Sequence, residues 1–519
     1  MRAHRISLWR AWPLVPALAV LAVYLATLAP GLTWSHNGAD GGDLLTAALT
    51  WGVPHPSGYP TYVLLLRLFT AIMSPWASPA WAGNLLSALL ASLAVVFIAL
   101  ICERTLAEAG APNPWTQLLS ALTAIAAGLA PTLWSQAVIT EVYALHAAFV
   151  AGLLWLVMRE PEHGAVAPKR AAILGLVIGV GLGNHLSLLF TLPALAAWWW
   201  SRRVRLSRSA WAACAGAAFV GASVYLYLPV AASNNPPVNW GDPDTLSGLF
   251  WEVTGRAYRP LMFSFPLPWL PWRISGWANL LLRNLTFPGV ALALLGLWAS
   301  AEERPALLRL VLVQTVLTSV YALGYDTADS SVYLIPVYLV SAPAIALGAW
   351  VVLTEAREWP RWPGSIPRGA VAAVLIVLFA LIPLGQAWIH WAEMDLSEDR
   401  EAEAFAREAL AEVEPDAIVV AATDNPTFSL WYHRYGLRMR PDVAIVNINL
   451  FGFDWYRRTL RATHPDIMPS DDLDFPAFLR ANLPQRPVYA AEMILLDPSA
   501  GYSLTVTGRL FRVKPVSSP

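Results

Sequence analysis

Two carboxylates and a histidine lie close together in a glycine-rich stretch near the N-terminus, SHNGADGGDLLTAALTWGVPHPSGYPTY at residues 35–62. Asp40 and Asp43 are three positions apart, so a helix that begins here would place both on one side. His55 and Tyr59 follow in a segment framed by prolines, which stiffen the backbone around a titratable imidazole. A carboxylate that accepts a proton is a typical general base, so this stretch is the first candidate for catalysis. Asp43 could instead only cap the following helix, and His55 could only hydrogen-bond its own turn.

The composition is that of a membrane protein. Hydrophobic residues make up 57% of the chain and charged residues 13%, whereas soluble domains are about one quarter charged. A net charge of -1 argues against a nucleic-acid partner. Cys102 and Cys214 both fall in apolar runs, so we predict no disulfide framework. The histidines lack metal-ligand spacing, so we predict no cofactor, although the sequence leaves a divalent metal open.

Apolar runs of the length that crosses a bilayer recur throughout the first part of the chain, since one crossing needs about 20 residues. The candidate spans are 11–33, 82–102, 116–133, 141–158, 171–183, 186–200, 209–232, 286–300, 307–324, 331–354 and 369–391. Two of them are short, and the segment from Tyr59 to Thr70 could add another. We therefore predict a polytopic α-helical membrane protein with about eleven transmembrane helices.

The distribution of Lys and Arg predicts the orientation of the chain. With the N-terminus in the cytoplasm, the segments on that side carry 16 Lys and Arg residues and the opposite short loops carry 5. The positive-inside rule then puts the loop with Asp40 on the extracytoplasmic side of the inner membrane. Arg2, Arg5 and Arg10 belong to the cytoplasmic set. No small-residue cleavage site follows them, so we expect a retained first helix rather than a removed signal peptide.

This orientation collects the polar clusters of the membrane part on the outer face. Glu141 and Tyr143 begin one span, and Asn184 and His185 lie between two others. Polar groups at a membrane are costly unless they are used or paired, so we expect these residues to bind substrate. Glu141 could instead only cap its helix, and His185 could be a satisfied core histidine.

Further binding candidates lie in the outer loops. A long outer connection contains Trp240 and Asp242. In the same connection, Arg256 and Arg259 are spaced to share a helix face and could pair with a phosphate, or could snorkel to lipid headgroups. Asp326 and Asp329 bracket a short outer turn, and Asp326 is a binding candidate as well, unless these acids only cap the next helix.

After residue 395 the sequence alternates short apolar strands with helices. The predicted strands are Ala417–Ala422, Val443–Leu450 and Pro487–Met493. Such alternation predicts a small α/β domain with a parallel sheet, in which ligands bind at the carboxyl ends of the strands. The polar residues at those ends are Asp424, Asn425, Asn447 and Asn449. We therefore predict a transmembrane domain over 1–395 and a soluble, extracytoplasmic α/β domain over 396–519.

Several segments resemble the bacterial relatives of an animal transmembrane protein O-mannosyltransferase. They are GADGGDLLTAALTWGVPHPSGYPTY, WSQAVITEVYALHAAF, GLGNHLSLL, PPVNWGDP, DTADSSVYLIP and TDNPTFSLWYHRYGLRMRPDVAIVNINLF. The resemblance covers most of the chain and implies a GT-C fold that takes sugar from a polyprenyl-phosphate donor. Asp40 matches the first acid of the family's D-x-G-E motif, whereas Asp43 stands where the family usually has Glu.

The resemblance implies an inverting transfer of a mannose-like sugar to Ser or Thr hydroxyls of extracytoplasmic proteins. Asp40 is the better candidate for the base, with Asp43 as the second catalytic residue, and a cation or donor cluster should hold the departing phosphate. The expected substrate-binding residues are His55, Tyr59, Glu141, Tyr143, Asn184, His185, Trp240, Asp242, Arg256, Arg259 and Asp326.

Two other functions compete with this hypothesis. A GT-C transferase could modify a lipid or a cell-envelope glycan instead of a protein, and nothing in the sequence separates these acceptors. A transporter or a non-catalytic scaffold is the third possibility. Transporters typically contain two related halves with broken helices near the membrane midplane. Here the sequence has no internal repeat and its polar residues gather on one face, which disfavours transport. The expected partners are the bilayer, the lipid-linked sugar and the acceptor.

Overall fold

The fold was analysed in a computed structural model, which describes residues 11–160, 162–358, 367–494 and 502–515. Arg2, Arg5, Arg10 and Arg361, which contribute to the predicted charge asymmetry, lie outside these residues. That the first helix is retained, and that the charge asymmetry sets the orientation of the chain, therefore remain predictions.

The part of the chain before residue 395 is built from helices. They are α1 (Leu14–Thr27), α2 (Asp40–Thr50), α3 (Pro60–Met73), α4 (Pro79–Glu108), α5 (Trp115–Gly128), α6 (Pro131–Ala137), α7 (Val142–Met158), α8 (Pro168–Leu182), α9 (Thr191–Ser201), α10 (Arg208–Ala222), α11 (Tyr227–Ala232), α12 (Leu246–Val253), α13 (Leu270–Leu285), α14 (Phe287–Glu303), α15 (Pro305–Gly324), α16 (Ile335–Glu358) and α17 (Arg368–Met394). Several begin with proline, whose fixed φ and missing N–H suit the first helical position.

Each predicted span overlaps at least one of these helices. Within the described residues, five helices are long and apolar enough to cross a membrane, and the number rises to seven if each of two bent pairs forms one span. The bent pairs are α5 with α6, at 68°, and the segment Leu267–Leu285 with α14, at 92°. Four shorter apolar helices accompany them. The chain is an integral membrane protein, and the number of about eleven crossings stays a prediction.

Two short strands of the membrane part, β1 (Ala165–Val166) and β2 (Arg205–Leu206), pair in parallel. A separate five-stranded sheet forms the C-terminal part, where the sequence predicts alternating strands and helices. Its strands are β3 (Ile418–Ala421), β4 (Ala444–Asn447), β5 (Val488–Ala490), β6 (Tyr502–Thr507) and β7 (Leu510–Pro515), and its helices are α18 (Glu401–Glu412), α19 (Asp424–Trp431), α20 (Asp454–Thr463) and α21 (Phe475–Asn482). The order is β4-β3-β5-β7-β6, with β3 parallel to both β4 and β5. The predicted parallel strands are confirmed, but the antiparallel hairpin of β6 and β7 was not predicted.

The sheet domain packs directly on α2. A Cβ atom at Gly42 would lie 2.5 Å from the carbonyl oxygen of Phe428, so only glycine allows α2 and α19 to approach this closely. The indole of Trp34 donates hydrogen bonds of 2.9 Å to the carbonyl oxygen of Asn425 and to Ser429 Oγ. The backbone N–H of Ala80 donates to the Tyr432 hydroxyl at 3.2 Å. The two predicted domains therefore share an extensive contact, and their boundary stays a prediction.

Candidate active site

The helix α2 begins at Asp40, so both acids lie in its first turn. The residue at the helix N-cap is Ala39, and the interpretation of Asp43 as the cap is therefore wrong. The Asp43 carboxylate is fully buried and accepts hydrogen bonds from the backbone N–H of His55 at 2.8 Å and from Trp240 Nε1 at 3.2 Å. His55 Nδ1 lies 2.7 Å from the same Asp43 oxygen that accepts the backbone bond. Asp43 thus fixes the imidazole of His55.

The imidazole of His55 lies between the two carboxylates of α2. Its Nε2 is 3.5 Å from Asp40 Oδ2, on the side opposite to Asp43. Burial disfavours the charged ring, but the negative charges of Asp40 and Asp43 outweigh burial and raise the pKa of His55 to about 10. The ring is therefore an imidazolium at neutral pH, and the alternative that His55 serves only its own turn is wrong.

Asp40 is the member of this triad that faces open space. Its side chain is 35% exposed, whereas that of Asp43 is 0% exposed. Burial raises the pKa of Asp40 to about 7, even though His55 acts in the opposite direction. A carboxylate with this pKa accepts a proton far more readily than an ordinary aspartate, and it is still ionised in part at neutral pH.

Asp40 lines a polar cavity of about 420 Å³. Its described lining contains three aspartates, two asparagines and five tyrosines, and it contains no Lys or Arg. These residues are Asn37, Asp40, Tyr59, Tyr143, Tyr258, Tyr325, Asp329, Tyr333, Asp424 and Asn425. Aromatic faces combined with amide and carboxylate oxygens suit a saturated ring rich in hydroxyl groups, because the C–H groups of such a ring pack on aromatic faces while its hydroxyl groups donate hydrogen bonds.

A second cavity, of about 260 Å³, adjoins the first one. Five residues line both cavities: Pro56, Tyr59, Tyr258, Tyr325 and Tyr333. Beyond them the lining is richer in apolar side chains, such as Leu189 and Met262, whose exposed fractions are 49% and 44%, and it also contains Ser57, His185, Ser187 and Thr254. The two adjoining cavities therefore form a space whose lining is polar near Asp40 and more apolar near Leu189 and Met262.

Four of the predicted substrate-binding residues line these cavities, namely His55, Tyr59, Tyr143 and His185. Tyr143 donates to Asp329 Oδ2 at 3.5 Å in the polar cavity. His185 lines the apolar cavity, and its Nδ1 accepts from the Ser187 backbone N–H at 3.2 Å. The amide of Asn184 donates to the Val142 carbonyl at 3.2 Å behind them, so it supports the site from outside the lining.

Glu141 serves as the N-cap of α7, as the alternative interpretation held. Its carboxylate accepts from the Val142 backbone N–H at 3.1 Å, and the side chain is buried. It is not among the residues that line the two cavities. Its role as the cap of α7 is therefore sufficient to explain the position of the Glu141 side chain.

The structure does not bring four other predicted residues into either cavity. Arg256 and Arg259 are exposed, and Arg259 donates to Thr254 instead of facing the polar cavity. Their segment, Arg256–Leu261, is a 3-10 helix that turns the intervening Tyr258 inward, so the arginines point away.

The two remaining acids are structural. Asp242 pairs with Arg458 of α20 at 3.0 Å and accepts from Asn239 at the same distance. Asp326 pairs with Arg273 of α13 at 2.8 Å. An arginine on a neighbouring element thus holds each aspartate, and neither residue is among those that line the two cavities. Trp240 likewise contacts Asp43 instead of lining a cavity.

Sequence reasoning missed the tyrosines Tyr258, Tyr325 and Tyr333 as lining residues. A tyrosine in an apolar span resembles an ordinary interface residue, so no local signal separates these three from the others. Asp424 was predicted at a strand end, and the end of β3 indeed directs it and Asn425 to the Asp40 cavity.

Comparisons with known proteins agree with this geometry. Residues 40–208 match the model of the protein O-mannosyl-transferase TMEM260 N-terminal domain, and residues 402–473 match that of TMEM260-associated domain 2. The first match begins at Asp40. The chain is therefore similar to TMEM260 proteins over these two segments, which together cover less than half of its residues. The departure from the family's D-x-G-E motif at Asp43 therefore lies inside the matched region.

Two curated TMEM260 relatives are similar over long stretches. Protein O-mannosyl-transferase TMEM260 of Mus musculus is 26% identical over 474 residues, which cover 86% of this chain and 64% of the relative. The relative from Dictyostelium discoideum, with the same description, is 26% identical over 288 residues, or 51% of this chain and 34% of its own length. The chain thus spans less than two thirds of the length of these relatives.

Solved structures of ArnT from Cupriavidus metallidurans show the same fold. The form bound to undecaprenyl phosphate superimposes with a TM-score of 0.59 at 12% identity, and the apo form gives 0.55 at 13%. Both alignments cover 98% of each chain. The chain therefore shares the fold of ArnT, in agreement with the predicted GT-C-like fold.

Proposed function

We propose that this protein is an inverting membrane glycosyltransferase that moves a mannose-like sugar from a polyprenyl-phosphate donor to Ser or Thr hydroxyls of extracytoplasmic proteins. The observation that carries the proposal is the Asp40 carboxylate, with a pKa of about 7, at the wall of a polar cavity that continues into an apolar one. Two relatives described as protein O-mannosyl-transferases support both the reaction and the acceptor class.

The two adjoining cavities support a lipid-linked donor. The polar cavity suits the hydroxyl groups of a sugar, and the apolar cavity beside Leu189 and Met262 suits the first part of a polyprenyl chain. The phosphate that joins them would lie near the shared tyrosines. The neutral donors there are Ser57, Ser187 and Tyr258, instead of the predicted Arg256 and Arg259. A solved structure of ArnT with undecaprenyl phosphate bound is consistent with a donor of this class.

The reaction follows as one displacement. Asp40 removes the proton from the acceptor hydroxyl, whose oxygen attacks the anomeric carbon of the sugar. The bond from that carbon to the phosphate oxygen breaks, and the electron pair leaves with the polyprenyl phosphate. Because that phosphate is already a stable anion, the leaving group needs no general acid. A single attack from the opposite face inverts the anomeric centre.

His55 and Asp43 support the base in this mechanism. The imidazolium of His55 favours the ionised form of Asp40 and limits the rise in its pKa. Asp43 holds the ring through Nδ1, and Trp240 holds Asp43. Asp43 is a positioning residue in this scheme because it lies outside the cavity lining, whereas His55 lines the cavity beside Asp40 and acts through Asp40.

The sheet domain supports recognition of a protein acceptor. Asp424 and Asn425, at the start of α19, form the wall of the polar cavity contributed by that domain. An extended acceptor segment that reaches Asp40 would therefore contact the sheet domain as well as the membrane helices. We propose that this domain and the cavity face the extracytoplasmic side, which the charge asymmetry of the sequence supports.

Asp40→Asn tests the proposal in purified protein supplied with a polyprenyl-phosphate mannose and an acceptor peptide. Asparagine keeps the size of the side chain but cannot accept the proton, so transfer should fall by about 10²–10⁴-fold while donor binding persists. Asp244→Asn makes the same change at an exposed position outside both cavities and should transfer at the wild-type rate. Wild-type activity of the Asp40→Asn variant would refute the assignment of Asp40 as the general base. Donor turnover with only lipid or glycan products would favour the alternative acceptors.

A further inference from the structure

A third cavity lies at the ends of α7 and α8 that are distant from Asp40. The helix α7 begins beside the candidate site, at Glu141 and Tyr143, and ends beside Arg159 of this cavity. Its 17 residues span roughly 25 Å at the usual helical rise. Similarly, α8 begins at the cavity with Pro168 and ends before Asn184 and His185. The cavity is therefore separate from the proposed site of transfer.

The cavity, of about 300 Å³, carries an excess of positive charge. Arg159, Lys169 and Arg170 line it together with one acid, Glu160. Glu160 is 4% exposed, and Arg170 Nη1 is 3.2 Å from both of its carboxylate oxygens. One cation is thus neutralised, and Arg159 and Lys169 leave two positive charges at the mouth of the cavity.

The other half of the cavity is apolar. Ile173, on the first turns of α8, is 44% exposed, and Trp199 of α9 lies across from it with its N–H already bonded to the Val157 carbonyl at 3.1 Å. Cationic and apolar walls within one cavity at the end of membrane helices match a ligand with an anionic head and a hydrocarbon tail. Basic pockets between transmembrane helices are typical sites for anionic lipid headgroups.

We propose that this cavity binds one anionic phospholipid, with the phosphodiester headgroup at Arg159 and Lys169 and the start of an acyl chain along Ile173 and Trp199. The two positive charges of Arg159 and Lys169 complement the negative charge of a phosphodiester. The exposed Ile173 favours a lipid over a soluble anion, because it offers an apolar surface to an acyl chain. The site would lie in the leaflet opposite to the one that supplies the sugar donor.

Native mass spectrometry of the full chain in detergent, titrated with phosphatidylglycerol and with phosphatidylcholine, tests the proposal. The wild type should bind one phosphatidylglycerol more tightly than phosphatidylcholine. The Arg159→Gln/Lys169→Gln variant should lose about 30-fold in phosphatidylglycerol affinity, which corresponds to about 1 kcal/mol for each cation. Its affinity for phosphatidylcholine should stay unchanged.

A matched control removes the same charge from the same end of the molecule. Arg205→Gln/Arg208→Gln replaces two exposed cations outside the lining and should keep wild-type affinity. Equal losses in both variants would mean that only the general charge of this end matters and would overturn the site. Glu160→Gln should bind the lipid more tightly, because Arg170 becomes available, and weaker binding by that folded variant would also contradict the proposal.

Inorganic phosphate distinguishes a lipid from a free anion. If the apolar wall contributes, phosphate should not displace phosphatidylglycerol from the wild type at equimolar concentration. Displacement would show that the cavity is a site for free phosphate and would refute the lipid ligand. The binding measurement uses no sugar donor, so its outcome is independent of whether the protein is a glycosyltransferase.

Discussion

At the scale of single residues, the arrangement around α2 assigns different tasks to two acids that the sequence alone makes nearly equivalent. Asp43 is buried and bound by His55 and Trp240, whereas Asp40 faces the cavity. The same residue type thus serves as an anchor at one position and as a candidate base three residues earlier, because only one of the two has access to a ligand.

The pH dependence of transfer should reveal the contribution of His55. Because Asp40 must be ionised, kcat/KM should fall in the wild type as the pH drops below about 7. His55→Gln removes the positive charge that favours ionised Asp40, so the acidic limb should move about one to three pH units higher. An acidic limb that stays in place, with activity lowered equally at all pH values, would indicate that His55 has only a structural role.

At the scale of elements, α12 contributes a fully buried glutamate, Glu252, which packs against the turns that follow His55 and Trp240. Glu252 is 0% exposed, and neither carboxylate oxygen has a hydrogen-bond partner among the described residues. It lies against Gly58 and Gly241, both with positive φ, in the two turns that follow His55 and Trp240. A Cβ at Gly241 would be 2.7 Å from Glu252 Oε2, so this turn requires glycine for space as well as for its φ of 68°.

Glu252→Gln should stabilise the protein at neutral and alkaline pH. Burial raises the pKa of Glu252 well above its usual value. The folded state therefore retains a proton that the unfolded state releases above about pH 4.5, and stability is lost as the pH rises. Glutamine does not ionise, so Glu252→Gln abolishes this decrease in the free energy of unfolding with rising pH. Thermal unfolding in detergent should show a higher Tm for Glu252→Gln at pH 8 and nearly equal values at pH 4.

The exposed acid Glu398 provides the control for that measurement, because Glu398→Gln removes one charge from a solvated position. It should leave Tm unchanged at both pH values. If Glu252→Gln gave the same Tm difference at pH 4 and at pH 8, the carboxyl group would not change its proton occupancy on unfolding, and the prediction would fail.

At the scale of the whole molecule, polar and basic residues separate to opposite ends of shared helices. The candidate site lies at the start of α7 and the end of α8, and Arg159 and Lys169 lie at their other ends. This separation is consistent with the positive-inside rule and supports the proposal that the sheet domain is extracytoplasmic.

Labelling of single cysteines tests that topology in intact cells. In a Cys102→Ser/Cys214→Ser background, Asp472→Cys in the sheet domain should react with a membrane-impermeant maleimide, because its position is exposed. Arg205→Cys, at the basic end, should react only after the membrane is permeabilised. Labelling of both positions in intact cells would contradict the predicted orientation.

Much of the fold was accessible from the sequence, because local patterns determine it. Apolar runs predicted the helices, and the alternation around Ile418–Ala421 and Ala444–Asn447 predicted two parallel strands. The hairpin of β6 and β7 was missed, since its burial alternates weakly and Val506 is 71% exposed. The site was only partly predictable. Asp40 and Asp424 are far apart in sequence, and their common cavity depends on packing that no local pattern encodes.

The position of Trp240 has a consequence for biosynthesis. Its ring lies 5.6 Å from that of Trp455 and 6.3 Å from that of Phe428, while its N–H holds Asp43. Because the ribosome releases Trp455 long after it releases α2, a nascent chain lacks this support for Asp40, Asp43 and His55 until the sheet domain has been made. We expect the proposed transferase to be inactive during synthesis and to acquire activity only when its C-terminal sheet domain has folded.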